Sequence, residues 1–586
     1  MRELAPAPTR LPPREVAVQR SDPIYNAHAY LTKVPVAAIL PFIEAFTAPG
    51  DLVLDPFAGS GMTGVAAAMC GRRACLSDIS ELGRHIGQNY VNLVDPPALR
   101  AAAADVVALS KARVGDVYAV RCETCQQTGE LSKRTWSVVL VCPHCAAPNT
   151  YYRALEQAGW VKAGMRCHTC GEPLATKGAD RIGEEPVLDT IDCACTPRLI
   201  DQTPTPALTV PLLDGLAWPD VPIGADRQMY QASALGKHNL HAIADFFSRR
   251  NLAVLAAVRA HIEAIRDGDL RAKLLCAFTG ILTRASKRYQ WSRQRPLNAA
   301  NQNYYIAPVY YEWNVYDLFL RKVEALIRSD DCVRRARAAW SGGPLFESPL
   351  AVDYRLQSAD ALDLPDGSVD YVFTDPPFGG NIFYSDMNLF HEAWLGRFTD
   401  RAAEAVVDRS GPHAARRTAA RYEHILTDAL RECHRVLKPA GRLSVVFSHS
   451  SGGLWAVLQR AVQAAGFVMD EDGLALLDKG QRSVKGLASG DEDIVTIDLI
   501  LTMRKRRSAD PPQSPDDQHL DPVLDHVLAL GGHATPSHVY LDVVRAYLRH
   551  HWDPTRVDFS AIRRGLAARG YRSDTKSGRF AAIAQR

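Results

Sequence analysis

Two short motifs, far apart along the chain, contain residue types that bind ligands and accept protons. The first is Asp-Pro-Phe-Ala-Gly-Ser-Gly at 55–61, and the second is Thr-Asp-Pro-Pro-Phe at 374–378. Each follows an apolar stretch, Leu52–Leu54 or Tyr371–Phe373, which predicts a buried strand. Open α/β sheets bind ligands beyond the carboxyl ends of their strands. The two motifs together therefore predict a cleft that holds a nucleotide-like cofactor beside a flat, amino-bearing substrate.

The first motif is typical of a cofactor-binding turn. Glycines between a strand and a helix let a ligand approach the backbone and face the amides at the helix end. The carboxylate of Asp55 can accept a hydrogen bond from a ligand ammonium group, and Asp78, which ends the next predicted strand, can bind ribose hydroxyls. Met62 and Thr63 stand where a triphosphate-binding loop has lysine and serine or threonine. The turn thus favours a neutral or cationic nucleoside, although α/β proteins also use such turns for packing alone.

The second motif suits transfer of a group to an aromatic amine. Such a nitrogen is a poor nucleophile, because its lone pair is delocalised into the ring. The carboxylate of Asp375 and the carbonyl of Pro376 can accept its two protons, and Pro377 helps to hold these acceptors in place before reaction. Phe378 offers a ring on which a base can stack, and a base in a duplex must first be flipped out. A proline-stiffened strand end is the alternative interpretation.

The residues around the first motif carry a family resemblance. The run Tyr-Asn-Ala-His-Ala-Tyr-Leu-Thr-Lys-Val-Pro at 25–35, followed by Pro-Gly-Asp-Leu-Val-Leu-Asp-Pro-Phe-Ala-Gly-Ser-Gly at 49–61, resembles the amino-methylating DNA methyltransferases. These enzymes transfer a methyl group from S-adenosylmethionine to the exocyclic nitrogen of adenine or cytosine. The resemblance implies a set of cofactor-binding residues: Lys33, Pro35, Asp55, Phe57, Gly59, Gly61, Asp78 and Asp360.

The resemblance also implies what each part of this set does. Lys33 and Pro35 would close one side of the methionine pocket, and the residues at 55–61 would form its floor. Asp78 would hold the ribose. Asp360 matches the family's acidic position near the cofactor adenine, and a solvated turn is the alternative interpretation for it.

The order of the motifs resembles one class within this family, the alpha-type order. In that class the cofactor motif precedes the catalytic motif, and the long insertion between them holds target recognition. Asp375 favours adenine, because cytosine-specific members more often carry serine there, and Phe378 replaces the more common tyrosine. The stretch 379–388 resembles a bacterial branch of the family, in which Tyr384 would line the base pocket; local packing is the alternative.

The remaining pattern predicts the elements that position the two motifs. A helix is expected over Leu31–Phe46, a strand over Arg73–Asp78, a helix over Arg417–Leu437 and a strand over Arg442–Phe447. The predicted fold class is α/β, a Rossmann-like S-adenosylmethionine-dependent methyltransferase sheet split by a zinc-binding and helical insertion, with a small C-terminal helical domain. The predicted segments are a disordered lead-in (1–20), the first part of the methyltransferase domain (21–114), a zinc-ribbon-like segment (115–200), a mainly helical target-recognition insertion (201–345), the second part of the methyltransferase domain (346–507), a linker (508–521) and the small helical domain (522–586), for which a winged helix is a further hypothesis.

Many of the 13 cysteines form close pairs within one segment: Cys122 and Cys125, Cys142 and Cys145, Cys167 and Cys170, Cys193 and Cys195. Such pairs are typical of structural zinc sites with four thiolate ligands, so we expect two zinc ions. The pairs can combine in sequence order or interleave, and disulfides are a further interpretation. Full thiolate sites leave no open coordination position, so this zinc would be structural rather than catalytic.

The stretch 283–295 combines five cations with two aromatic residues, a composition that suits phosphate contact and stacking. A solvated basic helix end is the alternative interpretation. The candidate nucleic-acid contacts are Arg284, Lys287, Arg288, Tyr289, Trp291, Arg293 and Arg295, together with Tyr384 from the catalytic side.

The bulk composition sets limits on these interpretations. Among the 586 residues, 47% are hydrophobic and 23% are charged, as is ordinary for a globular protein. The net charge of +3 excludes a polycation, so DNA affinity must come from local basic faces. No apolar run reaches the roughly 20 residues of a membrane helix, and the Pro- and Arg-rich start does not resemble a signal peptide. We therefore expect a cytoplasmic bacterial protein, associated with the nucleoid when it acts, and no membrane partner.

These features predict a site-specific methyltransferase that acts on double-stranded DNA, with adenine N6 as the preferred target. The family resemblance implies a role in restriction–modification or phage defence, with a cognate restriction or defence protein as a partner. The alternatives are an N4-cytosine DNA methyltransferase, an RNA (tRNA) amino-methyltransferase, and a zinc-ribbon nucleic-acid-binding protein with an inactive methyltransferase fold. The run at 25–35 favours DNA over tRNA.

Overall fold

The computed structural model describes most of the chain: residues 12–18, 22–175, 180–209, 211, 213–293, 304–339, 351–380, 382–408, 417–478, 495, 497–508, 510, 519–531, 535–573 and 580–582. Arg295, most of the predicted lead-in and most of the predicted linker lie outside these ranges.

The described strands, in chain order, are β1 Glu15–Ala17, β2 Leu52–Asp55, β3 Arg73–Asp78, β4 Ala119–Arg121, β5 Thr128–Val141, β6 Pro148–Thr150, β7 Arg181–Asp192, β8 Ile200–Gln202, β9 Val309–Trp313, β10 Val352–Leu356, β11 Val369–Thr374, β12 Leu437–Phe447, β13 Phe467–Asp478, β14 Asp498–Lys505, β15 Tyr571–Ser573 and β16 Phe580–Ala582. The described helices are α1 Pro23–Ala27, α2 Val36–Phe46, α3 Met62–Met69, α4 Glu81–Val91, α5 Pro96–Val114, α6 Tyr151–Gln157, α7 Gln228–Ala232, α8 Arg249–Glu263, α9 Gly268–Thr279, α10 Leu282–Ala285, α11 Val315–Ala339, α12 Tyr384–Leu395, α13 Ala419–Val436, α14 Gly452–Ala464, α15 Leu520–Leu530, α16 Pro536–Arg549 and α17 Phe559–Ala568.

A mostly parallel central sheet brings the two motifs side by side. Its strand order is β1-β13-β14-β12-β11-β2-β3-β10, and β14 runs antiparallel to both of its neighbours. Strand β11 pairs in parallel with β2, with Tyr371 opposite Val53 and Val372 opposite Leu54. The first motif begins where β2 ends, and the second begins where β11 ends. Because adjacent parallel strands end at one edge of a sheet, the two motifs meet there.

The observed elements differ from the predicted ones in ways that local chemistry explains. Strand β3 has the predicted bounds, whereas helix α2 begins at Val36 instead of Leu31. Pro35 is the N-cap of α2, and a proline disfavours helical geometry in the residue before it, so the helix cannot start earlier. Strand β13 was not predicted, because the acidic run at 470–472 interrupts its apolar pattern; a register shift lies between Met469 and Leu474.

The insertion contains a second, antiparallel sheet of six strands. Its order is β4-β5-β7-β8, and β6 and β9 also pair with β5. The long hairpin of β5 and β7 forms the centre of this sheet. Strand β9 comes from the segment predicted as mainly helical, yet it pairs with β5 over the register from Lys133–Trp313 to Ser137–Val309. The cysteine-rich and helical parts of the insertion therefore share one sheet.

The C-terminal part consists of α15, α16, α17 and the antiparallel hairpin of β15 and β16. It packs on the loop that follows β12. The carboxylate of Asp558 accepts a hydrogen bond from the amide of Gly452 (2.9 Å), and the hydroxyl of Tyr540 donates to the carbonyl of His449 (2.8 Å). In the described parts of the chain, no helix has the length and apolar character needed to cross a membrane.

Candidate active site

A single cavity lies at the sheet edge where β2, β3 and β11 end, and both motifs line it. The lining residues that were predicted from the sequence are Lys33, Asp55, Phe57, Gly59, Asp78, Asp375, Pro377 and Tyr384. The cavity encloses about 100 Å³. Residues from the cofactor motif and the catalytic motif, far apart in sequence, therefore face one shared space.

A buried hydrogen-bonded link joins the two motifs. The Oδ1 atom of Asp55 accepts a hydrogen bond from the hydroxyl of Thr374 (2.8 Å) and a longer one from the amide of Phe57 (3.2 Å). Its Oδ2 atom accepts from the hydroxyl of Thr63 (2.6 Å). Burial raises the pKa of Asp55 to about 7, although these bonds oppose the shift. Asp55 thus connects β2, the first turn of α3 and the residue before Asp375.

Asp78 holds the glycine turn in shape. Its Oδ2 atom accepts a hydrogen bond from the amide of Gly59 (2.7 Å), and its Oδ1 atom accepts from the amide of Ser80 (2.9 Å). The hydroxyl of Tyr354 donates to the carbonyl of Gly59 (2.6 Å). Burial raises the pKa of Asp78 above its ordinary value. Hydrogen bonds therefore hold both the amide and the carbonyl of Gly59 in the turn.

Gly61 allows the close packing of two helices. It has a φ of +80°, and a Cβ atom there would lie 2.8 Å from the Cα atom of Gly87 on α4. Gly61 is the N-cap of α3 and is not among the residues that line the cavity. The close approach of α3 and α4 explains why a glycine is needed here, and the place of Gly61 in the pocket floor stays a prediction.

Lys33 and Pro35 lie beside the cavity in different ways. Lys33 is buried, and its Nζ atom donates to the carbonyls of His28 (2.7 Å) and Tyr25. Burial lowers the pKa of Lys33 to about 7. Its ammonium group is thus held by backbone carbonyls, while other atoms of the side chain line the cavity. Pro35 is not in the lining and caps α2.

Two tyrosines that face each other narrow the cavity. The rings of Tyr30 and Tyr384 lie nearly parallel, with centroids 6.3 Å apart. The hydroxyls of Tyr384 and Thr32 share a hydrogen bond of 2.6 Å. The Cε1 atom of Tyr30 is 3.2 Å from the position that a Cβ of Gly59 would take, so this ring covers the glycine turn. Tyr30 and Thr32 were not singled out from the sequence, although both lie in the run at 25–35.

The catalytic motif presents some of its residues to the cavity. Asp375 and Pro377 line it, whereas Pro376 and Phe378 do not. The hydroxyl of Tyr422 donates to the carbonyl of Pro377 (2.5 Å). The half-buried ring of Phe378 packs edge-on against Phe447, with centroids 5.1 Å apart. In this conformation Phe378 offers no face to the cavity, and Tyr384 is the catalytic-side ring that does.

A fourth carboxylate, Glu404, lines the cavity and was missed in the sequence. It is buried and accepts hydrogen bonds from the hydroxyl (2.5 Å) and the amide (3.2 Å) of Ser385, and Arg417 pairs with it at 3.1 Å. Burial raises the pKa of Glu404 above its ordinary value. No motif surrounds Glu404, so only the fold could reveal it.

Asp360 does not reach the cavity. It is exposed in a turn after β10, while its neighbours Ser358 and Ala359 line the cavity. The implied contact between Asp360 and the cofactor adenine stays a prediction, and a solvated turn residue stays the alternative.

The cysteine pairs come together in a nested arrangement. One tetrad contains Cys122, Cys125, Cys193 and Cys195, and the other contains Cys142, Cys145, Cys167 and Cys170. The pairing in sequence order is wrong, because the β5–β7 hairpin folds back and places the last pair beside the first.

The spacing within each tetrad fits a metal ion. Sulfur pairs lie at 3.9 and 3.5 Å in the first tetrad and at 3.7 and 3.6 Å in the second. A tetrahedron with zinc–sulfur bonds of about 2.3 Å has edges of about 3.8 Å. A disulfide would require about 2.05 Å, and the described cysteines are all free thiols. The donor set and its geometry therefore suit zinc.

The basic stretch divides into buried and accessible residues. Arg288 and Tyr289 are buried, and the guanidinium of Arg288 lies over the rings of Tyr304 (4.7 Å) and Phe390 (4.8 Å). Their predicted contact with nucleic acid is wrong, because both side chains belong to the core. Trp291 packs between Tyr152 and Trp160 of the cysteine-rich segment.

The other cations of this stretch remain near the surface. Arg284 and Arg293 are exposed, with Arg284 over the ring of Tyr289 and Arg293 over the ring of Trp160. Lys287 pairs with Glu184 at 3.0 Å. Lys287 and Glu184 also border a second, wider cavity of about 1050 Å³, which contains no residue of either motif.

The first part of the chain is similar to known methylases. Residues 13–90, which include the cofactor motif, match the N6_N4_Mtase family of DNA methylases. The protein named "Putative methylase YubD" of Escherichia coli (strain K12) is 43% identical over 80 residues, 14% of this chain and 35% of that protein, so the chain spans about a third of its length. The crystal structure of the [4+2]-cyclase SpnF aligns with 32% of this chain and with 63% of the SpnF chain, at 18% sequence identity. The TM-score of this alignment is 0.15, which is too low to indicate a shared fold. The predicted family resemblance is confirmed for this segment.

Proposed function

We propose that the chain is an S-adenosylmethionine-dependent DNA methyltransferase, because residues 13–90 match an amino-methyltransferase family. Its target is the exocyclic amino group of a flipped base, with adenine N6 preferred, within a specific site on double-stranded DNA. Restriction–modification or phage defence is the role that fits such an activity. The observation that carries the proposal is the single cavity lined by Gly59 and Asp78 on one side and by Asp375 and Pro377 on the other.

The chemical character of the cavity residues fits this cofactor, and one side chain must move to make room for it. Gly59 leaves the backbone open to a ligand, and the carboxylate of Asp78 lies at the end of β3, where ribose hydroxyls bind. The enclosed volume of about 100 Å³ is below the 300–1,000 Å³ that ligand pockets commonly have. Since the ring of Tyr30 covers Gly59, rotation of this ring is the movement that makes room.

The chain's own residues then orient the acceptor nitrogen. When bound, the cofactor supplies an electrophilic methyl group on its sulfonium. The carboxylate of Asp375, which lines the cavity, accepts a hydrogen bond from the amino group, which raises the electron density on its nitrogen. The carbonyl of Pro376 is the predicted second acceptor, and it must turn toward the substrate because Pro376 is not in the present lining. The nitrogen loses one proton as it gains the methyl group, and Asp375 is the base within reach. Tyr422 holds the carbonyl of Pro377 and so keeps the following turn in place.

The two cysteine tetrads give the insertion a structural role. Each would hold one zinc ion through four thiolates, a closed coordination that stabilises the fold and performs no reaction. Their position on the β4-β5-β7-β8 sheet suits a scaffold for target recognition.

The experiment that tests the proposal follows transfer of a labelled methyl group. Wild-type protein should label duplex DNA and should not label tRNA, and digestion of the product should yield N6-methyladenine. Asp375→Ala should retain cofactor binding in a calorimetric titration while its transfer is lost. Asp363→Ala, which removes an exposed carboxylate outside the cavity, is the matched control and should keep both.

The alternatives predict different results in the same experiment. Labelling of tRNA in place of DNA would identify an RNA methyltransferase, and N4-methylcytosine in the product would change the target base. Cofactor binding without transfer to any nucleic acid would leave a binding protein with an inactive fold.

A further inference from the structure

Three cations of the insertion are held over aromatic rings on one face. Arg284 lies over the ring of Tyr289 at 5.5 Å, and Arg321 lies over that of Trp313 at 5.6 Å. Lys133 lies over the rings of Tyr311 (4.8 Å) and Trp313 (5.2 Å). The rings contact one another, with centroids 5.7–6.3 Å apart. We call this surface the cation platform; it consists of Lys133, Arg284, Arg321, Tyr289, Tyr311 and Trp313.

Salt bridges do not neutralise the cations of the platform within the described ranges. In the part of the chain that the structure describes, Lys133, Arg284 and Arg321 form no salt bridge, although the charge of Arg321 opposes the rise that burial causes in the pKa of Asp317. Arg321 donates to the backbone carbonyl of Asp317 (3.0 Å), not to its carboxylate. Burial lowers the pKa of Lys133, and the charge of Asp201 opposes this shift; the carboxylate of Asp201 accepts a hydrogen bond from the hydroxyl of Thr190 (2.6 Å). A ring face attracts a cation without neutralising it, whereas a salt bridge would cancel its field.

The helix that carries Arg321 also contacts the segment beside the cavity. Lys322, the neighbour of Arg321 on α11, donates to the carbonyl of Ala27 (2.8 Å) at the end of α1. Burial is the main cause that lowers the pKa of Lys33 and of Lys322, and the charges of Lys322 and Arg284, respectively, add to these shifts. Helix α11, which carries Arg321, therefore connects the platform to the segment that contains Lys33.

We propose that the cation platform contacts the phosphate backbone of duplex DNA on one side of the target base. This inference rests on the proposed function and adds a surface to it. Tyr289 and Tyr311 are buried, so their rings cannot stack on bases; they instead hold the cations in extended positions. Backbone contacts of this kind fix register and contribute affinity without sequence information.

The test compares the salt dependence of DNA binding by matched variants of the full chain. The first variant, Lys133→Gln/Arg284→Gln/Arg321→Gln, removes the platform cations. The control variant, Arg100→Gln/Arg431→Gln/Arg460→Gln, removes the same charge from exposed arginines that already pair with carboxylates. A third variant, Lys133→Arg/Arg284→Lys/Arg321→Lys, keeps the charge. Each binds a DNA duplex that wild-type protein methylates, over a range of salt concentrations.

Each lost phosphate contact should lower the slope of log affinity against log salt by about 0.9. The platform variant should therefore lose up to about 2.7 from this slope and bind roughly a hundredfold more weakly near 0.15 M salt. At saturating DNA its transfer rate should equal that of wild type, so the defect lies in KM. The control and the charge-conserving variant should keep the wild-type slope, and thermal unfolding should show all three folded. The single variant Arg284→Gln changes one exposed side chain, and it should also lower the slope while disturbing the fold least.

Several results would contradict the proposed contact between the cation platform and DNA. One is a wild-type slope in both the platform variant and Arg284→Gln. Another is an equal loss in the control variant, which would indicate a general charge effect. A loss confined to duplex RNA would assign the surface to another nucleic acid. Failure of the proposed function is distinct, because wild-type protein would then methylate no DNA duplex before any variant is examined.

Discussion

The hydrogen bond between Thr374 and Asp55 should couple the cofactor half of the site to its catalytic half. Thr374→Val removes the hydroxyl that donates to Asp55 at 2.8 Å and changes the side-chain shape little. Both side chains are almost fully buried, so the Oδ1 atom of Asp55 keeps only the longer bond from Phe57 at 3.2 Å. A buried hydrogen bond to a carboxyl group contributes about 1–3 kcal/mol. We expect a loss of that size in the free energy of unfolding, measured in urea.

The same substitution should also impair methyl transfer, because Thr374 precedes Asp375 at the end of β11. A displacement that costs 1.4 kcal/mol in the transition state lowers the rate about tenfold. Thr502→Val is the matched control, since it removes a buried hydroxyl that shares a hydrogen bond with Ser444 (2.8 Å) elsewhere in the same sheet. It should lose stability while its transfer rate stays normal.

A double-mutant cycle measures the coupling energy between Thr374 and Asp55. Thr374→Val and Asp55→Ala should show a coupling energy of about 1–3 kcal/mol, because either change alone already breaks the bond. Strict additivity would refute the reasoning, as would a Thr374→Val protein with wild-type stability and wild-type transfer.

Three further predictions concern the metal, the glycine turn and the pH. The purified chain should contain two zinc ions; Cys122→Ser/Cys193→Ser should retain one and Cys122→Ser/Cys142→Ser none, and elemental analysis giving the reverse would support the sequence-order pairing. Gly61→Ala should destabilise the protein by about 1–3 kcal/mol more than Gly367→Ala in thermal unfolding, because both have positive φ but only Gly61 lies against backbone; equal losses would contradict this. Burial raises the pKa of Asp55 from its ordinary 3.8 to about 7, so the folded state retains a proton that the unfolded state releases between these values. The free energy of unfolding should therefore fall by up to about 4 kcal/mol as pH rises from 4 to 7, and Asp55→Asn should remove that part; identical pH profiles for the two proteins would exclude it.

Local patterns predicted the strands and motifs, whereas long-range pairing decided the rest of the site. Strand β3 was predictable because its apolar run is short and bounded. That β2 and β11 are direct neighbours depends on how the chain returns after the insertion, which no local pattern records. The nested cysteine tetrads have the same origin, since the β5–β7 hairpin sets them.

Burial was the other quantity that composition could not supply. Arg288 and Tyr289 have the residue types of a nucleic-acid contact, yet they pack in the core, while Arg284 in the same stretch is exposed. Glu404 faces the cavity from a segment without any motif, and Asp360, in a motif-like position, faces solvent. Whether a charged side chain is available depends on its neighbours in space.

The central claim is that the two motifs form one cofactor and substrate cleft, and a crystal structure with S-adenosylhomocysteine tests it most directly. The ligand should lie between Gly59 and Asp375, with its ribose at Asp78, its sulfur toward Asp375 and the ring of Tyr30 displaced from the glycine turn. A ligand bound in the wider cavity beside Lys287, or anywhere that leaves the space between Gly59 and Asp375 empty, would contradict the account.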